Sequence, residues 1–280
     1  MPKSQTTRDG GRQPLFTLEL CMRAFFLLPS SLFCSFTLLA LVAAPVPSAA
    51  GVLERAQAEQ ILQDTHSAMN YTGVAVEADF RKPENIVAAA LWGAYDAKAG
   101  LQFAREQRRE KGLPPGPDII LGVNGKKLGP EAVQSPDEAP ARFQGLPQAQ
   151  LFDEPPNKGS GSRTPYNVFV SREAAELAAL RYTGHTLPAD AVPRGILAAG
   201  VLAREEGYFF VVDGIGDNGR EAVLDSITPK GEGYVLSGTL RDYFGDEGGG
   251  SKKTSFTLEL APGDAPGTWK RLSWTETDSK

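Results

Sequence analysis

The sequence predicts an α+β protein: N-terminal helices, a Pro/Gly-rich linker, then a helix packed on a five-stranded antiparallel meander. Three observations carry that expectation. Apolar residues recur near a 3.6-residue period between positions 53 and 111, prolines and glycines make up a third of residues 112–165, and the period falls to two beyond Gly207. The 280 residues are 41% hydrophobic and 22% charged, enough for ordinary cores and too mixed for a wholly disordered or collagen-like chain. Lysine and arginine number 29 against 34 aspartate and glutamate, so no basic excess points to nucleic acid.

Residues 1–50 read as an export leader. Ala24 to Ala44 is almost wholly apolar, Arg23 precedes it, and Pro45-Val-Pro-Ser-Ala-Ala50 follows with small residues at Ser48 and Ala50. That is the pattern of a secretory signal peptide cleaved between Ala50 and Gly51. Translation from Met22 would give a leader of more ordinary composition, without Asp9 and Glu19. The bulk of Phe33 just before Cys34 argues against lipid attachment there. The expected location is therefore periplasmic or secreted, with membrane contact only through the leader. Both cysteines, Cys21 and Cys34, fall in the removed part, which excludes disulfide staples and thiolate chemistry from the remainder. Removal also takes four cationic and two anionic side chains from a chain of net charge −5, leaving −7.

Residues 51–111 read as a helical region. Leu53, Ala56, Ile61, Leu62 and Met69 fall near one face of a first helix, which breaks around Asn70–Gly73. Gly73 to Phe80 fits a strand as well as a helix. Pro83 suits the first turn of a second helix, with Glu84 in its positive N-terminal field, an Ala-rich run from Ile86 to Tyr95, and Gly112 as its stop. Residues 112–165 form the linker, with ten prolines and eight glycines, too many for long regular elements. Within it Asp118–Leu128 predicts one small hairpin turning at Asn124–Gly125, and Pro155–Ser162 has nothing to bury.

Residues 166–280 form the α+β domain. Ser171 predicts an N-cap and Gly184 a C-terminal stop for the helix between them. Tyr208–Val212 is apolar on both faces and reads as a central strand of the meander. Residues 221–228, 233–244, 256–260 and 268–277 supply the other four strands.

Gly214-Ile-Gly-Asp-Asn-Gly219 spells a dinucleotide-loop signature after an apolar strand. Asp213 and Asp217 oppose a pyrophosphate, and Asn218-Gly219 is a hairpin signal, so the segment reads as a tight reversal between neighbouring antiparallel strands. Asp213, Asp217, Asn218 and Glu221 offer oxygens to a cation without calcium-loop spacing, and His66 and His185 are too few for zinc. No metal or cofactor is expected. His185, just past Gly184, reads as a charge partner for its helix's C-terminus. Asn70-Tyr-Thr72 fits a glycosylation acceptor in a eukaryotic secretory host.

On the last strand, Trp269 and Trp274 are five residues apart and so are expected on opposite faces, Trp274 in the core with Leu272 and Trp269 exposed beside Arg271. Trp269 and Arg271 are thus the candidate ligand contacts. These features point to an exported, non-catalytic domain binding a ligand or an envelope protein through the concave side of its sheet. The alternative is a carboxylate-based hydrolase of envelope or extracellular polymers, since Asp and Glu are the only abundant groups for acid/base work.

Overall fold

The computed structural model describes residues 52–69, 77–150, 163–190, 200–212, 220–242, 254–265 and 267–278. The leader and its cleavage site, the Asn70 acceptor, the Pro155–Ser162 run and the Gly214–Gly219 loop lie outside them.

The architecture is α+β. Helix α1 (Arg55–Met69) precedes a short strand β1 (Glu77–Asp79) and a 28-residue helix α2 (Pro83–Glu110). There follow β2 (Leu121–Val123), β3 (Lys126–Leu128), β4 (Val133–Gln134), a four-residue helix α3 (Pro140–Phe143), β5 (Ala149–Gln150) and β6 (Arg163–Thr164). Next come β7 (Val168–Ser171), helix α4 (Arg172–Thr183), β8 (Val201–Ala203) and β9 (Gly207–Phe210). The chain closes with β10 (Arg220–Lys230), β11 (Gly233–Asp242), β12 (Thr254–Pro262) and β13 (Trp269–Asp278). Among the described residues no helix is long and apolar enough to cross a membrane.

The last four strands form an antiparallel meander, and the full order of the five-stranded sheet is β1-β13-β12-β11-β10. Its inner face is apolar by strict alternation: Leu236, Leu240, Phe256, Leu258 and Trp274 are all buried, and Phe256 stacks on Trp274 at 4.9 Å. Helix α1 covers that face, with His66 5.9 Å from the Trp274 ring. It also protects the edge. The Val223 carbonyl faces Gly238 of β11, so those of Ala222 and Leu224 point off the sheet, where Gln63 and Arg55 of α1 donate to them at 2.9 Å.

Two expectations are corrected here. The apolar strand after Gly207 is central, but in another sheet, of order β4-β7-β9-β8. Tyr208, Phe209 and Phe210 are all buried: a strand apolar on both faces needs cover on both, and the five-stranded sheet has its cover on one. The fifth position of that sheet goes to β1, paired with Ser273–Thr275. Since β9 and β10 are not neighbours, the Gly214–Gly219 segment connects two sheets and does not reverse one ribbon onto the next. Arg220 directly begins β10, so no helix follows the glycines to receive a pyrophosphate.

The expected linker is also more ordered than its composition suggests. Asn124 (φ 52°) and Gly125 (φ 81°) form the two-residue turn joining β2 to β3. Ile120, Leu121, Ala132 and Val133 enter the same core as the helices. The buried ammonium of Lys98 on α2 holds residues 130–138 down, donating to the carbonyls of Pro130 (3.2 Å) and Val133 (2.9 Å) and to the Glu138 carboxylate (2.7 Å). Three oxygens around one buried ammonium offset its desolvation.

Helices α2 and α4 pack against each other, and both bury small residues, Ala89, Ala90, Gly93 and Ala94 on α2 and Ala174, Ala175, Ala178 and Ala179 on α4. Ser171 caps α4 by accepting from the Ala174 N–H at 3.2 Å, and Gly184 ends it in the left-handed region at φ 73°. A Cβ at Gly93 would overlap the Tyr182 ring, whereas Gly100 on the same helix has open space around it. Gly93→Ala is therefore expected to cost about 1–3 kcal/mol by overpacking. Gly100→Ala should stabilise by roughly 0.5–1 kcal/mol, and urea unfolding of the pair against the parent measures both signs.

Candidate functional site

Helix α1 lies over the sheet's inner face, with His66 5.9 Å from the Trp274 ring. An opening lies at one end of the sheet, where α1, the β2–β3 turn, the end of α4 and the loop before β13 converge on a cavity of about 610 Å³. Its apolar wall is Ile61, Val123 and Leu180, and its polar side includes Gln60, Asp64, Arg181 and Thr186. Trp269 and Arg271 both line it.

The placement of those two residues depends on a β-bulge. Between β12 and β13 the register runs Leu258↔Trp274 and Glu259↔Ser273, then Leu260↔Arg271 and Pro262↔Trp269, so Leu272 is left unpaired. One extra residue reverses the alternation. Trp269, Arg271 and Trp274 therefore share the inner face, while Leu272 does not share the face of Trp274. This corrects the expected opposite faces and the expected exposure of Trp269, which is only 3% exposed. The Leu272 carbonyl accepts from the Phe80 N–H at 2.9 Å, which fixes the bulge to the end of β1.

Arg271 is 5% exposed. Its Nε donates to Thr65 Oγ1 of α1 (3.2 Å), one η nitrogen to the Trp269 carbonyl (3.1 Å), and the other to the Arg181 carbonyl of α4 (2.9 Å). All three acceptors are neutral oxygens. Among the described residues no carboxylate forms an ion pair with it. Burial lowers its pKa to about 10, so it remains cationic at neutral pH. The Arg181 carbonyl belongs to the last turn of α4, where unpaired carbonyls and the helix dipole favour a positive charge. Trp269 packs edge-on against Tyr234 at 5.2 Å, and its buried indole N–H has no acceptor among the described residues.

Tight local geometry keeps these parts together. Gly184 lies so close to the Trp269 carbonyl that any side chain would collide with it, and Gln57 of α1 donates to the Gly267 carbonyl of the loop at 2.8 Å. The two carboxylates of the cavity are both tied to cations, Asp64 to Arg181 at 3.0 Å and Asp264 to Lys270. Their electrostatics is that of paired charges. Among the described residues no group of three or more His, Cys, Asp or Glu side chains is placed to hold a metal ion.

His185 plays a different part from the one expected. Its Nε2 donates to the Arg271 carbonyl at 2.8 Å, so the ring joins the end of α4 to β13. Burial first, then the positive charges of Lys270 and Arg271, push its pKa down against that hydrogen bond. It is neutral at pH 7 and cannot act as a charge partner for the helix. Sequence reasoning found Trp269 and Arg271 but not their partners Thr65, Asp64 and Arg181, which sit at helical positions carrying no motif.

Comparison with protein-family models, curated proteins and solved structures finds no match for this chain.

The His185 environment has a pH signature. Because its folded-state pKa is depressed, the unfolded chain takes up the proton first as pH falls below about 6.5. Its contribution to stability is thus complete above that pH and is lost as pH falls toward the lower folded value. His185→Gln is expected to flatten this part of the stability profile, read as denaturation midpoints between about pH 7.5 and 5.

Proposed function

We propose that this chain is an exported, non-catalytic domain that binds a small molecule in the cleft at the end of its five-stranded sheet. The observation that carries the reading is the cleft. Four segments far apart in sequence enclose about 610 Å³, a volume within the roughly 300–1,000 Å³ typical of small-ligand sites. Its lining joins the apolar Ile61, Val123, Leu180 and Trp269 to a larger set of polar side chains that includes Asp64, Arg181 and Arg271. Because α1 covers the inner face of the sheet, the proposed binding surface is the cleft at its end, not the concave side. Export rests on the leader pattern of Arg23, the apolar Ala24–Ala44 run and the small residues before Gly51.

A hydrolytic reading draws no support from this site. Its two carboxylates are each committed to a cation, whereas acid/base work needs one of them held protonated in a dry setting.

Two measurements test the proposal. Small molecules released by denaturing the purified chain, identified by mass spectrometry and titrated back, should bind the parent. They should bind Thr186→Trp at least about tenfold more weakly, because the bulky ring is introduced at an exposed position of the cleft wall. Equal affinity for parent and variant would place binding elsewhere. N-terminal sequencing of the processed protein should begin at Gly51; a product retaining residues 24–50 would remove the case for a cleaved leader.

A further inference from the structure

We infer that the cleft selects a small organic monoacid, its carboxylate held by Arg271 and its uncharged body lying along Ile61, Val123 and Leu180. The inference deepens the ligand-binding reading above and rests on it. Three observations converge.

The first is charge. Asp64 pairs with Arg181 and Asp264 with Lys270, which leaves Arg271 without a contact ion pair among the described residues, Asp64 acting on it only at longer range. A charge buried without an ion partner is costly, and a single anion is what removes the cost. The second is a surplus of donors. A guanidinium carries five N–H groups; three are used on neutral oxygens, so two have no acceptor among the described residues. The indole N–H of Trp269, two residues away on the same face, also has none. The unused guanidinium N–H groups call for an acceptor, and a carboxylate accepts in a planar fork that matches guanidinium geometry. The third is the wall around them. Asp64 and Asp264 face the same cavity, so a dianionic phosphate would meet repulsion that a singly charged carboxylate largely escapes. The apolar wall then suits an uncharged aromatic or aliphatic body.

A purely structural brace would explain the three bonds that Arg271 makes to α1, α4 and β13. It leaves the unused donors and the absence of a contact ion pair without a reason.

The test is calorimetric titration of the purified chain with matched acid and amide pairs: benzoate and benzamide, phenylacetate and phenylacetamide, 1-naphthoate and 1-naphthamide. At least one acid is expected to bind about 10- to 100-fold more tightly than its own amide, and inorganic phosphate should not displace it. Arg271→Lys keeps the charge and loses the fork, and should weaken the acid at least about fivefold while leaving the amide nearly unchanged. The acid-to-amide ratio is read on the parent chain, so the result does not depend on any variant folding. Equal binding of acid and amide, both lost in Thr186→Trp, overturns the monoacid and leaves the cleft reading standing. No acid binding up to about 10 mM, or phosphate binding more tightly than every acid, also overturns it. Acid binding that Thr186→Trp does not weaken overturns the monoacid and the cleft together.

Discussion

A buried guanidinium joins the three elements on which this fold turns. Arg271 reaches α1 through Thr65, the end of α4 through the Arg181 carbonyl, and its own strand through the Trp269 carbonyl. Taking an ionised side chain out of water costs several kcal/mol before any compensation. Here the compensation comes from neutral oxygens and from the negative end of a helix. That arrangement holds the charge in place without cancelling it. A carboxylate in place of one of those acceptors would have braced the elements as well and cancelled the charge.

The bulge at Leu272 makes the arrangement geometrically available. Without it, Trp269 and Arg271 would face outward, and the end of the sheet would present whatever residue came next in the alternation. The covering elements then decide where space remains. Helix α1 fills the middle of the sheet, and the alanine-lined contact of α2 with α4 brings those two helices close. A cleft lies where α1 and the end of α4 meet the β2–β3 turn and the loop before β13.

Local structure was legible because it is encoded locally. Ser171 and Gly184 mark the ends of α4 through a hydroxyl that accepts an N–H and a glycine that tolerates positive φ. Pro83 opens α2 where no N–H is needed, and Asn124-Gly125 forces a two-residue turn. Alternation in Phe256–Leu260 placed a half-buried strand. What escaped depends on which elements become neighbours. Gly73–Phe80 fitted a strand as well as a helix, and what its pattern did not show is that Glu77–Asp79 would pair with the edge of β13. Tyr208–Phe210 announced burial on both faces but not in which sheet. The composition of residues 112–150 hid Ile120, Leu121 and Val133, which are too sparse to show a period and still reach the core. Within the site, Trp269 and Arg271 stood out as an aromatic next to a cation. Their inward direction rests on a register shift that no residue at 272 signals in advance.

The cleft has no existence in the unfolded chain. Its walls come from residues near 60, 123, 181 and 270, and the donors that await an acceptor are adjacent only after β13 has paired and α4 has docked. Any molecule that fits it therefore binds the native state alone and adds its binding free energy to folding, in proportion to RT ln(1 + [L]/Kd). The same linkage runs in reverse. Under the proposed monoacid reading, a buried guanidinium with two N–H groups unused lowers the stability of the empty fold, and an anion that accepts from them returns that stability on binding. The proposed site would trade some stability of the free protein for discrimination: a neutral molecule of the same shape would fill the space, and only an acid would also relieve the charge.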